Sequence, residues 1–97
     1  MIHEHAHLYI GDADIEAFEA ALPGAREQLL AAPGCHEVSV HRSVDQPGVY
    51  LLRVGWERIE DHIDVFPSTP QAERLAKAIG GYFAGKPLVI HFDSAEV

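Results

Sequence analysis

The chain has 97 residues, of which 47% are hydrophobic and 23% are charged, and its formal net charge is -8. This length suits a single domain, residues 1–97, with one hydrophobic core, and it is too short for two domains. The 7 Lys and Arg residues are scattered singly, so the charge argues against a nucleic-acid or anionic-membrane partner.

The first two predicted elements are a strand and a long helix. Residues 2–10 alternate, which predicts a strand with Ala6, Leu8 and Ile10 on one face and His3, His5, His7 and Tyr9 on the other. A helix follows, because apolar residues then recur every three or four positions, at Ile15, Phe18, Leu22, Ala25, Leu29 and Ala32. The apolar stripe keeps its phase across Pro23-Gly24, so we expect one kinked helix, ended by Pro33-Gly34.

The middle of the chain predicts a β-hairpin. Residues 35–44 and 49–57 both alternate, and the turn-forming residues Asp45-Gln46-Pro47-Gly48 separate them. In the second of these strands one face carries Tyr50, Leu52, Val54 and Trp56. That face is the more apolar one, so we expect it to face the core.

The last part of the chain predicts two helices and a strand. A short helix should span about Ile59 to Phe66, and a longer one after Pro70 should carry Ala72, Leu75, Ala76, Ile79 and Phe83 on its inner side. Residues 88–93 form the last strand. The order βαββααβ is the split βαβ pattern, so the predicted fold class is α+β, ferredoxin-like, with a four-stranded antiparallel sheet.

One face of this sheet should lack a cover, because right-handed crossovers place both main helices on the other face. We expect the open face to carry four apolar residues, Tyr9, Val49, Leu51 and Val89, among His5, His7, Ser39, His41, Arg53 and His91. Such a mixed face is covered when two sheets pair about a two-fold axis, which predicts a homodimer in the form of a dimeric α+β barrel. The alternative is a monomer with a hydrated sheet face.

Trp56 and His62 form the first candidate site. Trp56 shares strand parity with Leu52 and Val54, and His62 flanks the apolar side of the short helix, so both rings should reach one pocket between helices and sheet. An imidazole can take a proton near neutral pH, and an indole offers an aromatic wall. The alternative interpretation is a core anchor, Trp56, beside a half-buried boundary residue, His62.

The alternating histidines His3, His5 and His7 form the second candidate site. Alternate strand positions share a face, and two such histidines can bind one zinc ion, with His91 or His41 as a third ligand. The alternative is a polar sheet face, which we favour, so no metal is predicted. The sequence also contains neither G-x-G-x-x-G nor a P-loop, so the usual support for a nucleotide or flavin cofactor is missing.

Three features of the sequence indicate the cellular compartment of the protein. The longest apolar runs are far shorter than the ~20 residues of a membrane helix. The N-terminus has neither the basic nor the apolar region of a signal peptide. The single cysteine, Cys35, cannot form an internal disulfide, which fits a reducing compartment. The sequence therefore predicts a cytoplasmic protein.

Several short motifs, in order and spacing, resemble the antibiotic biosynthesis monooxygenase family. They are Ala32-Pro33-Gly34-Cys35, Leu51-Leu52-Arg53-Val54-Gly55-Trp56-Glu57, His62, Phe66, Ser68 and Val89-Ile90-His91-Phe92. The resemblance implies a dimeric α+β barrel that oxidises phenolic or quinol-like molecules with O2 and without flavin, haem or metal. It further implies that Trp56 orients an aromatic substrate and that His62 accepts its proton. Phe66, Phe83, Leu52 and Val54 would then contact the substrate.

Two other functions remain open at this point. A haem-degrading branch shares the fold and resembles this chain at Trp56, but it uses an Asn on the first strand and a His early in the long helix. This chain has no Asn, and Gln71-Ala72-Glu73-Arg74 contains no His. The second alternative is a non-catalytic dimeric module that binds a small molecule, since a shared fold does not establish an active site.

Overall fold

The chain folds into a four-stranded antiparallel sheet with both long helices on one face, as a computed structural model of residues 1–97 shows. The strands are β1 (Ile2–Tyr9), β2 (Cys35–Arg42), β3 (Val49–Trp56) and β4 (Leu88–Asp93), in the spatial order β2-β3-β1-β4. The helices are α1 (Ile15–Leu30) and α2 (Pro70–Ile79). This arrangement confirms the predicted ferredoxin-like α+β fold. None of the helices is long and apolar enough to cross a membrane.

The core lies between the sheet and the two helices. Alternation along β1 and β3 puts Ala6, Leu8, Tyr50, Leu52, Val54 and Trp56 on the helix side, as their spacing predicted. The helices contribute Phe18, Ala25, Leu29 and Ile79 to the same cluster. Trp56, Phe18 and Val54 are its largest fully buried side chains. The indole of Trp56 is therefore fixed by close packing on all sides.

α1 continues through Pro23, as predicted, and both Pro23 and Gly24 lie on its exposed side. The missing backbone donor of the proline is thus on the side that water reaches. After α1, Gly34 adopts φ +78°, a left-handed conformation that glycine enters without steric cost, and the chain turns into β2. β2 ends at Arg42, two residues before the predicted boundary, and Val44 is fully exposed in the following loop.

The segment between β3 and α2 differs from the predicted short α-helix. Residues Asp61–Val65 form a π-helical turn, in which the N–H of Phe66 donates to the carbonyl of Asp61, and Phe66–Ser68 form a 3-10 turn. α2 ends at Ile79, so Phe83 does not belong to this helix as predicted. Phe83 is extended and makes an isolated β-bridge with Ile10.

The register of β4 corrects the predicted composition of the open face. β4 pairs with β1 so that Val89 lies opposite Ala6 and His91 opposite Glu4, and paired residues share a face. Val89 and His91 therefore lie on the helix side, and the prediction that put them on the open face was wrong. Leu88, Ile90 and Phe92 take their place there, and they are 49%, 43% and 48% exposed.

Candidate functional site

Three aromatic rings meet where β3 runs into the π-helical turn. The imidazole of His62 stacks on the indole of Trp56, with ring centroids 5.2 Å apart and ring planes at 11°. The ring of Phe66 meets the same indole edge-on at 5.4 Å. We call these three residues the ring cluster. The structure thus brings together the two rings that the sequence singled out, Trp56 and His62.

The π-helical turn that carries His62 is held in place by the contacts of its first residue, Asp61. Asp61, next to His62, is buried, and its carboxylate accepts hydrogen bonds from the backbone N–H of Arg58 at 3.1 Å and from its guanidinium at 3.2 Å. This carboxylate packs directly over Gly34, where a side chain would leave no room for it. A wide turn with this anchor directs His62 back toward Trp56.

Glu4 is a component of the site that our sequence interpretation missed. It lies on the inward face of β1 and is only 6% exposed. Its Oε1 accepts a hydrogen bond from Nε1–H of Trp56 at 3.0 Å, and Nε2 of His62 lies 3.3 Å from the same oxygen. One available signal was strand parity, because Glu4 shares the parity of Ala6, Leu8 and Ile10 and so had to face the core.

His91 completes the polar part of the site from β4. Its Nε2 lies 2.7 Å from Nδ1 of His62, and the two ring centroids are 5.0 Å apart. One of these two nitrogens donates the hydrogen bond and the other accepts it, according to the tautomers of the two rings. Both ring nitrogens of His62 are therefore engaged, one by His91 and one by Glu4.

Burial shifts the acid–base behaviour of Glu4 and His62 in opposite directions. Loss of hydration raises the pKa of Glu4 to about 7, although the hydrogen bond from Trp56 opposes the change. Loss of hydration, together with His91, lowers the pKa of His62 to about 4. At neutral pH the imidazole is thus uncharged and the carboxyl group is close to its titration midpoint, which suits an exchange of protons with a weak acid.

A cavity of about 240 Å³ opens beside this polar group, between β1, β4 and α2. Two of the predicted contact residues, Leu52 and Phe83, line it. The lining does not include Trp56, His62, Phe66 or Val54, which lie behind it in the ring cluster and the core. Glu4 belongs to both places, so its carboxyl group connects the ring cluster to the cavity.

The strand histidines do not form a common site. His3 contacts Glu37 at 2.6 Å, and His5 accepts a hydrogen bond from Arg53 at 3.3 Å and packs against Phe92. His91, considered as a third ligand, lies on the opposite face of the sheet. No group of three or more His, Cys, Asp or Glu side chains is arranged to hold a metal ion.

A wider groove of about 440 Å³ runs between α1 and the end of the β2–β3 hairpin. Its central acid, Glu19, is already paired, because Arg42 donates two hydrogen bonds to it at 2.7 and 3.0 Å and Tyr50 donates a third. These contacts hold the pKa of Glu19 below its usual value. The groove therefore presents a satisfied ion pair, whereas the cavity at Glu4 presents a carboxyl group whose charge is under-compensated.

Comparison with known proteins identifies a family and matches the fold over nearly the whole chain. The family model described as antibiotic biosynthesis monooxygenase matches residues 1–78. A Bordetella bronchiseptica protein described as a candidate antibiotic biosynthesis monooxygenase has a TM-score of 0.92 and 33% identity, over 98% of this chain and 97% of that one. A Caulobacter crescentus protein of the same description has a TM-score of 0.82 and 23% identity, over 98% and 90%. The uncharacterized Bacillus subtilis (strain 168) protein YczJ is 27% identical over 92 residues, 95% of this chain and 97% of its own.

Proposed function

Because this chain belongs to the antibiotic biosynthesis monooxygenase family, we propose that it oxidises a small phenolic or quinol-like molecule with O2 and without flavin, haem or metal. Loss of a proton makes the ring electron-rich, and the ring then supplies all the electrons. One oxygen atom enters the substrate and the other leaves as water. The protein has to hold the ring, exclude water and stabilise the anion.

The cavity beside Glu4 is the observation that carries this proposal. Every lining residue except Glu4 is apolar or glycine, so the cavity suits a mostly apolar ligand that has one acidic hydrogen. An apolar cavity of about 150 Å³ is known to hold benzene. A cavity of about 240 Å³ therefore suits a substituted single ring or two fused rings.

Trp56 and His62, the pair that the sequence predicted as catalytic, are proposed to support proton transfer from behind the cavity wall. The indole is fully buried, holds Glu4 by a hydrogen bond and supports the stacked imidazole, so it fixes the geometry of the site. The neutral imidazole of His62 is the proposed proton acceptor behind the cavity wall, reached by way of Glu4, whose Oε1 lies 3.3 Å from its Nε2. Leu52 and Phe83 form the walls, while Phe66 and Val54 support the indole and the sheet from behind.

We further propose a homodimer formed through the open sheet face. On this face the exposed Leu88, Ile90 and Phe92 lie in one row along β4. The half-buried Val49 and Leu51 lie on the same face of β3, which is separated from β4 by β1. A second copy offers the same apolar row in the reverse direction, which is what a two-fold interface needs. The free thiol of Cys35 fits the proposed cytoplasmic location.

The two alternative functions are a haem-degrading protein and a non-catalytic binding module, and the structure supports them less well. A porphyrin has four pyrrole rings and is too large for this cavity, and both ring nitrogens of His62 already have partners. A non-catalytic binding module would use the same cavity without turnover. Enzyme and binding module therefore differ in product formation and not in ligand binding.

Oxygen uptake with a one-ring or two-ring hydroquinone tests the proposal, with the oxygenated product identified by mass spectrometry. We expect His62→Ala to lower kcat by about a hundredfold or more, the usual cost of losing an acid–base group. Trp56→Phe should also lower kcat, because it removes the hydrogen bond that holds Glu4. His36→Ala is the matched control, since His36 is exposed and lies outside the ring cluster. Binding without any product would favour the non-catalytic module, and unchanged turnover in His62→Ala would contradict the assigned pair.

A further inference from the structure

One oxygen of Glu4 has no partner within the protein. Both protein contacts of this carboxyl group, from Trp56 and from His62, fall on Oε1. Oε2 accepts no hydrogen bond. Every fully buried side-chain oxygen or nitrogen of the molecule has a hydrogen-bond partner, so Oε2 is not fully buried. Oε2 is therefore accessible from the cavity that Glu4 lines, and a ligand can reach it.

Glu4 is also the only ionisable residue on the cavity wall. The remaining lining residues are apolar or glycine, and neither imidazole of the site is among them. Its one basic neighbour is the uncharged imidazole of His62, so no Lys or Arg neutralises it. A hydroxyl group of a ligand in this cavity would thus find one side-chain acceptor and no competing side chain.

From these contacts we propose that Glu4 is a catalytic residue, the base that receives the proton of the ligand's ring hydroxyl at Oε2. In this step the O–H bond of the ligand breaks, an O–H bond forms at Glu4, and a phenolate remains. No electrons leave the ligand at this stage. The inference rests on the proposed function and deepens it by naming the first proton acceptor and the substrate class, a one- or two-ring phenol.

Trp56, His62 and His91 then act as positioning residues for this step. The indole N–H fixes Oε1, and the neutral imidazole holds its Nε2 against the same oxygen. His91 fixes the orientation of that imidazole through Nδ1. Oε2, which has no partner in the protein, is then the oxygen available to a ligand in the cavity that Glu4 lines.

The pH dependence of ligand binding follows from the groups that face Glu4. These are His62 from the π-helical turn, His91 behind it on β4, and the thiol of Cys35 on β2. Burial raises the pKa of that thiol to about 11, so it stays neutral, as does His62. The preference for a hydroxyl donor should therefore increase as pH rises through about 7, where Glu4 ionises.

The test compares 4-fluorophenol with 4-fluoroanisole, which has the same ring but no acidic hydrogen. Affinities for the full-length protein are measured by fluorine NMR titration at pH 8. We expect the phenol to bind about tenfold more tightly than the ether, as a hydrogen bond to a charged acceptor predicts. In Glu4→Gln the ratio should fall to about threefold or less, because a neutral acceptor forms a bond about half as strong.

Three further variants keep the outcome interpretable. Glu27→Gln, the same chemical change at an exposed position, should leave the tenfold ratio unchanged. Ala76→Leu adds volume to the cavity wall and should weaken both probes equally. Trp56→Phe should shift the rise in phenol preference to higher pH, because the indole N–H no longer lowers the pKa of Glu4, whereas a purely structural loss would not move the pH of this rise.

The outcomes separate this inference from the proposed function. Equal binding of phenol and ether to the unmodified protein, or an unchanged ratio in Glu4→Gln, would overturn the role of Glu4 while leaving an aromatic-binding cavity. Failure of both probes to bind would overturn the inference and the proposed site together. A tenfold ratio that falls to about threefold or less in Glu4→Gln supports the inference even if no probe is oxidised.

Discussion

At the scale of single residues, Glu4 and His62 make opposite contributions to stability as pH changes. The pKa of Glu4 is higher in the folded chain than in the unfolded one, so its contribution is full below pH 4.5 and falls by about 3 kcal/mol as pH rises to 7. The pKa of His62 is lower in the folded chain, so its contribution increases as pH rises from about 4 to 6.5. Over the shared range the two contributions offset each other.

We therefore expect single substitutions at Glu4 and at His62 to separate their two pH-dependent contributions to the free energy of unfolding. In Glu4→Gln the free energy of unfolding should increase, relative to the unmodified protein, between pH 4.5 and 6.5, because only the His62 contribution remains. In His62→Ala it should decrease relative to the unmodified protein over the same interval. Urea unfolding at several pH values measures both, with Glu27→Gln as the control that keeps the original profile. Parallel profiles for all four proteins would show that burial does not shift these groups.

The residue scale also shows what the sequence could and could not reveal. The parity of Trp56 and the apolar face around His62 were enough to predict that their rings meet. Strand parity places Glu4 on the inner face of β1 in the same way. A site there was not predicted, because the chemistry-bearing histidines of β1 all lie on its other face. The contact between His62 and His91 was not readable, because it depends on how β4 is registered against β1.

At the scale of elements, the π-helical turn is held in place by the close approach of Asp61 to Gly34. An added Cβ at Gly34 would lie 2.3 Å from Oδ2 of Asp61, in a backbone conformation at φ +78° that disfavours side chains. We expect Gly34→Ala to lower the free energy of unfolding by about 2 kcal/mol or more, and to displace His62 from Trp56. Chemical denaturation measures the first effect, and the emission of Trp56, the single tryptophan of the chain, reports the second.

Gly24→Ala is the matched control for this substitution. Gly24 lies in α1 with no atom within 4 Å of an added Cβ and with an ordinary helical conformation. The alanine should leave stability unchanged or raise it by up to about 1 kcal/mol. Equal losses at Gly24 and Gly34 would contradict the role given to the Asp61 contact.

The elements differ in how well their sequences specified them. β1 and β3 alternate between unlike residues, so the parity and the buried face were both predictable. β4 contains apolar residues at both parities, as in Leu88-Val89-Ile90, so its faces could not be told apart without the pairing partner. The π-helical turn could not be foreseen either, since the apolar spacing of Ile59, Ile63 and Phe66 fits an ordinary α-helix.

At the scale of the whole molecule, the open sheet face determines whether the protein self-associates. If a second copy covers it, an aspartate in the centre of the apolar row would bring two buried charges together across the two-fold axis. We expect the unmodified protein to sediment as a dimer and Ile90→Asp to sediment as a monomer. Sedimentation velocity over a range of concentrations measures this.

The control for the dimer test is Ile63→Asp. Ile63 is 51% exposed, comparable to Ile90 at 43%, but it lies on the π-helical turn on the other side of the sheet. This variant should remain a dimer. A monomeric unmodified protein at every concentration would contradict the proposed interface.

The cavity is assembled from two consecutive stretches of the chain. Residues 1–78, the part that the family model matches, carry Glu4, Trp56 and His62. Residues 79–97 lie beyond that match and supply much of the opposite wall, namely Ile79, Gly80, Phe83, Pro87 and Val89. The C-terminal stretch thus contributes mainly to ligand selectivity, apart from His91, which contacts His62. Exchanging this stretch between relatives while keeping His91 is a route to chimaeras with new ligand preferences and an unaltered protonation centre.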